Sequence, residues 1–148
     1  MKNLINKIAE HCISNLKKFA PEERSSFSYW YNHWKAYNAV AVRLGQWKFK
    51  YLFHDIEKPW LMLLWKDYKL VQTWHRAHNN HHIEYPHIFD IDWEAVVIDW
   101  ESSQYTKFAC PRNAYHELCY IETETDPNYY TFIKANMIPV LIKLGLDE

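Results

Sequence analysis

His54-Asp55-Ile56-Glu57-Lys58 opens a stretch that His75-Arg76-Ala77-His78-Asn79-Asn80-His81-His82 closes, and the residues between them decide the fold. Leu63, Leu64, Tyr68, Val71 and Trp74 recur at helical spacing, which predicts one long helix from Trp60 to about His82. At ~100° per residue, His75, His78, Asn79 and His82 share one face. His81 points away from it and can join only if the helix unwinds near Asn80. An adjacent His-Asp pair offers an imidazole nitrogen and a carboxylate oxygen, and a second histidine cluster can close round the same ion.

Working outward from this segment, the same periodicity continues. Leu4, Ile5, Ile8, Cys12 and Leu16 predict an amphipathic helix from residue 3 to about 19, ended by Pro21. Ser25 or Ser26 caps a second helix with Trp30, Trp34, Tyr37, Ala41 and Leu44 on its apolar face and Gly45 as its stop. Gln46 to Glu57 reads as a short third helix that delivers the His-Asp pair in its last turn. Beyond a loop around Pro86, Asp90 or Asp92 caps a helix with Trp93, Val96, Val97 and Trp100 inward. Pro111 separates it from one starting near Asn113, with Tyr115, Leu118 and Cys119 buried. Asp126-Pro127 starts the last, which Pro139 is expected to kink or interrupt.

The expected fold is therefore all-α, a single helical domain of six or seven helices spanning 1–148. Two glycines in 148 residues are too few for a turn-rich sheet protein or a glycine-rich phosphate loop. A hydrophobic fraction of 49% is globular, and no apolar run approaches the ~20 residues of a spanning helix. With no apolar leader after Met1, a cytoplasmic protein is expected. Cys12, Cys110 and Cys119 form no close pair, which argues against a disulfide framework or a zinc ribbon. A net charge of −1 with scattered Lys and Arg lacks the footprint of a duplex-binding protein. Aromatics reach 18% with eight tryptophans, most of which are expected in the core. Those left outside permit a homodimer.

Candidate ligands follow in chain order as His33, then His54 and Asp55, then His75, His81 and His82, then Asp99. Taken singly, His33 fits a core histidine and Asp99 a partner for an indole N–H. Taken as an ordered set on helices, they resemble the HD-domain phosphohydrolases, helical enzymes with a His, His-Asp, Asp set that coordinates a divalent metal. Residues 33–100 are more specifically similar to an HD-like family of phage and bacteria with the pattern HDxxK, HxxxNxHHxEY and DW. Its positions are met by His54, Asp55 and Lys58, by His75, Asn79, His81, His82, Glu84 and Tyr85, and by Asp99 and Trp100. That resemblance implies an HD-like fold and one or two metal ions, and leaves the substrate open. Glu57 departs from it, standing where many HD segments have a small residue or serine.

Mixed imidazole and carboxylate ligands suit a divalent transition metal, Mn, Fe, Co, Ni or Zn. Such an ion acidifies bound water to a hydroxide nucleophile and clamps a phosphoryl oxygen. The expected activity is hydrolysis of a phosphoester in a nucleotide or other small phosphorylated molecule. Asp55 is a catalytic ligand in this reading, Glu57 acts on the water, and Lys58 with Arg76, or less directly Arg43, neutralises the phosphate. Two other readings stay open: an HD-type di-iron oxygenase, and a catalytically silent interaction protein with a structural metal. His11, His87 and His116 are expected at the surface or in structural roles.

Overall fold

The computed structural model describes residues 1–109 and 112–148, and it is all-α. Among the described residues, seven α-helices follow in order: α1 Lys2–Ser14, α2 Phe27–Arg43, α3 Lys58–Trp65, α4 Tyr68–His78, α5 Trp93–Ser103, α6 Ala114–Tyr120 and α7 Pro127–Leu144. Local chemistry starts most of them. The side chains of Ser26, Asp67, Asp92, Asn113 and Asp126 each accept a backbone N–H in the first turn of α2, α4, α5, α6 and α7. Gly45 and Gly145 end α2 and α7 in the left-handed region at φ 71° and 68°.

Helix α5 lies at the centre because its consecutive apolar residues face two ways. Val96 and Val97 pack with Leu118 of α6 and with Ile133, Met137 and Leu141 of α7. Ala95 and Ile98 pack with Tyr37, Val40 and Ala41 of α2 and Ile13 of α1. Asp99 is thus carried on a helix buried from both sides, which fixes its backbone.

Several expectations are corrected. α1 stops at Ser14, and its buried residues are Ala9 and Ile13, while Leu4, Ile5 and Ile8 stay exposed. The third helix is instead a 3-10 turn at Phe49–Phe53 followed by turns, since Asp55 takes a left-handed φ of 58° that no helix continues through. The long helix breaks in two at Lys66, also left-handed at φ 53°, and Asp67 caps the second half. Leu63 and Leu64 consequently sit on an exposed face of α3. Pro139 lies inside an unbroken α7. Cys119 is exposed. Cys110 and Pro111 lie outside the described residues. No tryptophan is fully buried; tyrosines 29, 37, 51 and 130 supply the aromatic core. No helix is long and apolar enough to cross a membrane among the described residues.

Three side chains of α2 hold the segment before α3. The indoles of Trp30 and Trp34 donate to the carbonyls of Asp55 (2.8 Å) and Leu52 (2.9 Å). Asn38 Nδ2 donates to the carbonyl of Tyr51 at 3.1 Å. The irregular backbone carrying His54 and Asp55 is in this way fastened to α2.

Candidate metal centre

Two groups of buried donors meet inside the bundle. His33 of α2, His54 and Asp99 of α5 form one; Asp55, His75 of α4, His81 and His82 form the other, and the ligand atoms within each group lie within 4.8 Å of one another. Nε2 of His33 is 2.9 Å from Asp99 Oδ1, and Nε2 of His54 is 3.3 Å from the same oxygen. Nε2 of His75 and of His81 stand 2.9 and 3.0 Å from Asp55 Oδ1. Asp55 lies between the groups, its Oδ1 3.5 Å from His54 Nε2 and its Oδ2 3.9 Å from His33 Nε2.

Each donor arrives for a local reason. His33 and Tyr37 are one turn apart on α2, and the Tyr37 ring stacks on His54 with centroids 3.6 Å apart and planes at 7°, setting that imidazole's plane. α4 ends at His78 because Asn79 is extended, at φ −119° and ψ 124°. The chain then turns, and Asn80 is held by its carbonyl accepting Asp92 N at 2.8 Å and by its side chain donating to Asp90 O at 3.2 Å. The unwinding brings His81 inward beside His82, while His78 turns out to stack on Trp74 and bond its carbonyl. His11, His87 and His116 are exposed.

The electrostatics suit a cation. Burial would raise Asp55, yet His54, Lys58 and His75 outweigh it and hold the carboxyl well below the usual range. Burial would also raise Asp99, but hydrogen bonds from His33 and His54 hold it well below. Burial pushes His54 down to about 4 against the pull of Asp55, and burial with His81 nearby pushes His82 well down. These two imidazoles are neutral near pH 7 and carry lone pairs. His75 is raised: burial lowers it, and Asp55 with Glu57 overcomes that. The Nε2 atoms of His75 and His82 face each other at 2.8 Å, so a proton or a cation must mediate between them. Five Nε2 atoms and two ionised carboxylates in one buried volume fit a metal ion.

Glu57 turns its carboxylate to His75. Its carboxylate accepts from the outer nitrogen of His75, Nδ1, and from Asn79 Nδ2 at 2.9 Å, and Asn79 also donates to the His75 carbonyl at 2.9 Å. It holds this candidate ligand from behind, the arrangement that fixes the tautomer of metal-bound histidines. Glu57→Gln is therefore expected to weaken metal affinity about 10–100-fold with the fold intact, as read by competition with a metallochromic chelator. Unchanged affinity would remove this role.

Lys58, the first residue of α3, reaches back so that Nζ lies 2.6 Å from Asp55 Oδ2. Arg43 is engaged elsewhere, bonded to Tyr105 Oη at 2.9 Å and 3.5 Å from Glu101. Arg76 sits exposed, 3.3 Å from Glu84. Two adjoining cavities, of about 350 and 220 Å³, open onto the cluster at Asp99 and His82. A third, of about 150 Å³, reaches His54, Asp55 and His81 from the other side, past Lys50 and Asp92. Both Arg24 and Lys107 line the first two cavities, and neither stands out in the sequence, where each is one isolated cation. Asn79 and Tyr37 likewise read as a helix-face residue and a core aromatic, though they contact the candidate ligands His75 and His54. No family model, curated protein or solved structure matches the chain.

Proposed function

We propose that this chain is a metal-dependent phosphohydrolase that cleaves a phosphoester of a nucleotide or another small phosphorylated molecule. The observation that carries this reading is the buried set of seven His and Asp donors with Lys58 and a cavity beside it. His33, His54 and Asp99 would hold one ion; His75, His81 and His82 would hold another, with Asp55 between the two. Nitrogen and oxygen donors together favour Mn, Fe, Co, Ni or Zn over an ion that takes only oxygen. A divalent ion so held supplies an acidified water and a Lewis-acid contact for a phosphoryl oxygen. The resemblance to HD-domain phosphohydrolases in the order and type of these ligands supports the same chemistry.

The chain's own residues do the rest. Glu57 and Asn79 keep His75 in one orientation, and Tyr37 keeps His54 in another. Lys58, with a side chain 13% exposed, lines the 220 Å³ cavity and presents a fixed ammonium to an incoming phosphate. Its positive charge is secure because Asp55 outweighs the burial that would lower it. Such a preorganised cation lowers the energy of charge developing on phosphoryl oxygens. Attack of water at phosphorus breaks the bond to the leaving oxygen, which takes up a proton.

The test is to measure bound metal on the purified protein and to screen nucleoside mono- and triphosphates, cyclic nucleotides and small phosphoesters with Mn added. Turnover that a chelator abolishes and metal restores is the expected result. No turnover on any of them with metal bound sinks the reading, and oxygen consumption in its place would favour the di-iron oxygenase.

A further inference from the structure

Arg24 is an anomaly outside the donor set. Its Nε and Nη2 are buried with no hydrogen-bond partner, and no carboxylate pairs with it among the described residues. Lys107 stands beside it on the same cavities and also forms no ion pair among the described residues. Burial lowers the Lys107 pKa against the pull of Asp99, and Arg24, Arg76 and Lys58 add repulsion, so these four cations share one region. Desolvated cations without partners are unfavourable in a resting fold. An anion there would supply the partner that Arg24 and Lys107 lack, whereas Lys58 is paired with Asp55 and Arg76 with Glu84.

The backbone holds this arrangement in place. Phe19 N donates to Thr106 O at 2.8 Å and Phe108 N to Phe19 O at 3.2 Å, joining the segment that leads to Arg24 to the one that carries Lys107. The two cavities have Arg24, Arg76, Lys107, His82, Asp99 and Ser103 in common, and the smaller adds Lys58 and His33. The two cavities therefore adjoin along these side chains, both touching the His/Asp cluster at His82 and Asp99 and both lined by Arg24 and Lys107, with the exposed Arg76 at the rim. The larger, about 350 Å³, lies within the roughly 300–1,000 Å³ of small-molecule sites.

We propose that Arg24 and Lys107, with Arg76 at the rim, form a second anion subsite that binds a phosphate group of the substrate other than the one at the His/Asp cluster. The substrate then carries at least two phosphates, linked or on separate positions. This rests on the phosphohydrolase reading for the group at the cluster. Arginine supplies the forked contact a phosphate takes, and the lysine a point charge.

The probes are inorganic pyrophosphate and orthophosphate, titrated by calorimetry into Mn-loaded wild type, Arg24→Met, Lys107→Met and the double variant, with bound metal measured after each titration. Wild type is expected to bind pyrophosphate at least tenfold more tightly than orthophosphate. The double variant is expected to lose that margin while keeping its metal and melting no lower than wild type, because an unpaired buried charge has gone. Arg24→Lys, which keeps a cation in place, should retain most of the margin and serves if a methionine variant does not fold. A wild-type margin below threefold, or a margin unchanged in the variants, overturns the subsite. Turnover separates the two readings: hydrolysis with no margin removes the subsite alone, and a margin with no hydrolysis removes the hydrolase and leaves the subsite.

Discussion

Asp55→Ala is expected to lower the stability of the metal-free protein by about 3–5 kcal/mol, the range for removing one partner of a buried ion pair. The Asp55 side chain is 1% exposed and Lys58 13%, with Nζ 2.6 Å from Oδ2. His75 and His81 present their Nε2 atoms to the other oxygen. Truncation leaves Lys58 buried with no carboxylate at hydrogen-bond distance, and it removes the group that draws a proton onto His75. Urea unfolding in excess chelator measures the loss. Asp55→Ala/Lys58→Met should recover most of it, because replacing both members of a buried pair by apolar groups is often near neutral. A loss under 1 kcal/mol, or a double variant no better than the single, would show that the pair is not what holds this turn. Added metal separates the functional readings: a variant that stays folded in the cold but binds less metal and turns nothing over fits catalysis, whereas one that cannot fold even with metal fits a structural ion.

The capping positions were legible to within a residue or two, Ser25 or Ser26 and Asp90 or Asp92 among them, because capping is local. Ser26, Asp92, Asn113 and Asp126 satisfy N–H groups two or three residues away, so their effect is complete within the segment that displays them. The break at Lys66 was also marked, by Asp67, but apolar residues on both sides carried the helical period through it. The ordered ligands His33, His54, Asp55, His75, His82 and Asp99 could be read from residue type and helical position, and the fold brings them together. His81 could be read only conditionally, since an ideal helix turns it away and the unwinding that admits it depends on contacts from Asp90 and Asp92. Glu57 carried a carboxylate's chemistry but no sign of which side of His75 it would occupy. Arg24 and Lys107 are 83 positions apart, and a long-range pairing, that of Phe19 with Thr106 and Phe108, joins their segments.

The metal-free protein is expected to be most stable near pH 6.5 and to lose roughly 3 kcal/mol or more by pH 4. His54 has an ordinary value of 6.5 and falls to about 4 in the fold. Between those values the unfolded chain takes a proton that the folded chain refuses, so this contribution is complete above 6.5 and is lost as the pH falls. His82, held well down by burial and by His81, acts with the same sign. Asp55 and Asp99, with folded values well below an ordinary 3.8, act with the same sign at the acid end, their contribution beginning to be lost as the pH approaches that ordinary value. His75 has the opposite sign. Raised by Asp55 and Glu57 against its burial, it contributes fully below 6.5, and that contribution is lost as pH rises through its folded value. The two signs together place the maximum. Denaturant titrations with chelator at intervals from pH 4.5 to 8.5 check it, and stability that stays level or rises down to pH 4.5 would refute the buried neutral histidines. Metal changes the two limbs differently. Protons compete with the ion for Nε2 below 6.5, so metal release should follow the acid limb. Above 6.5 a bound ion replaces the His75 proton, and the alkaline loss should disappear.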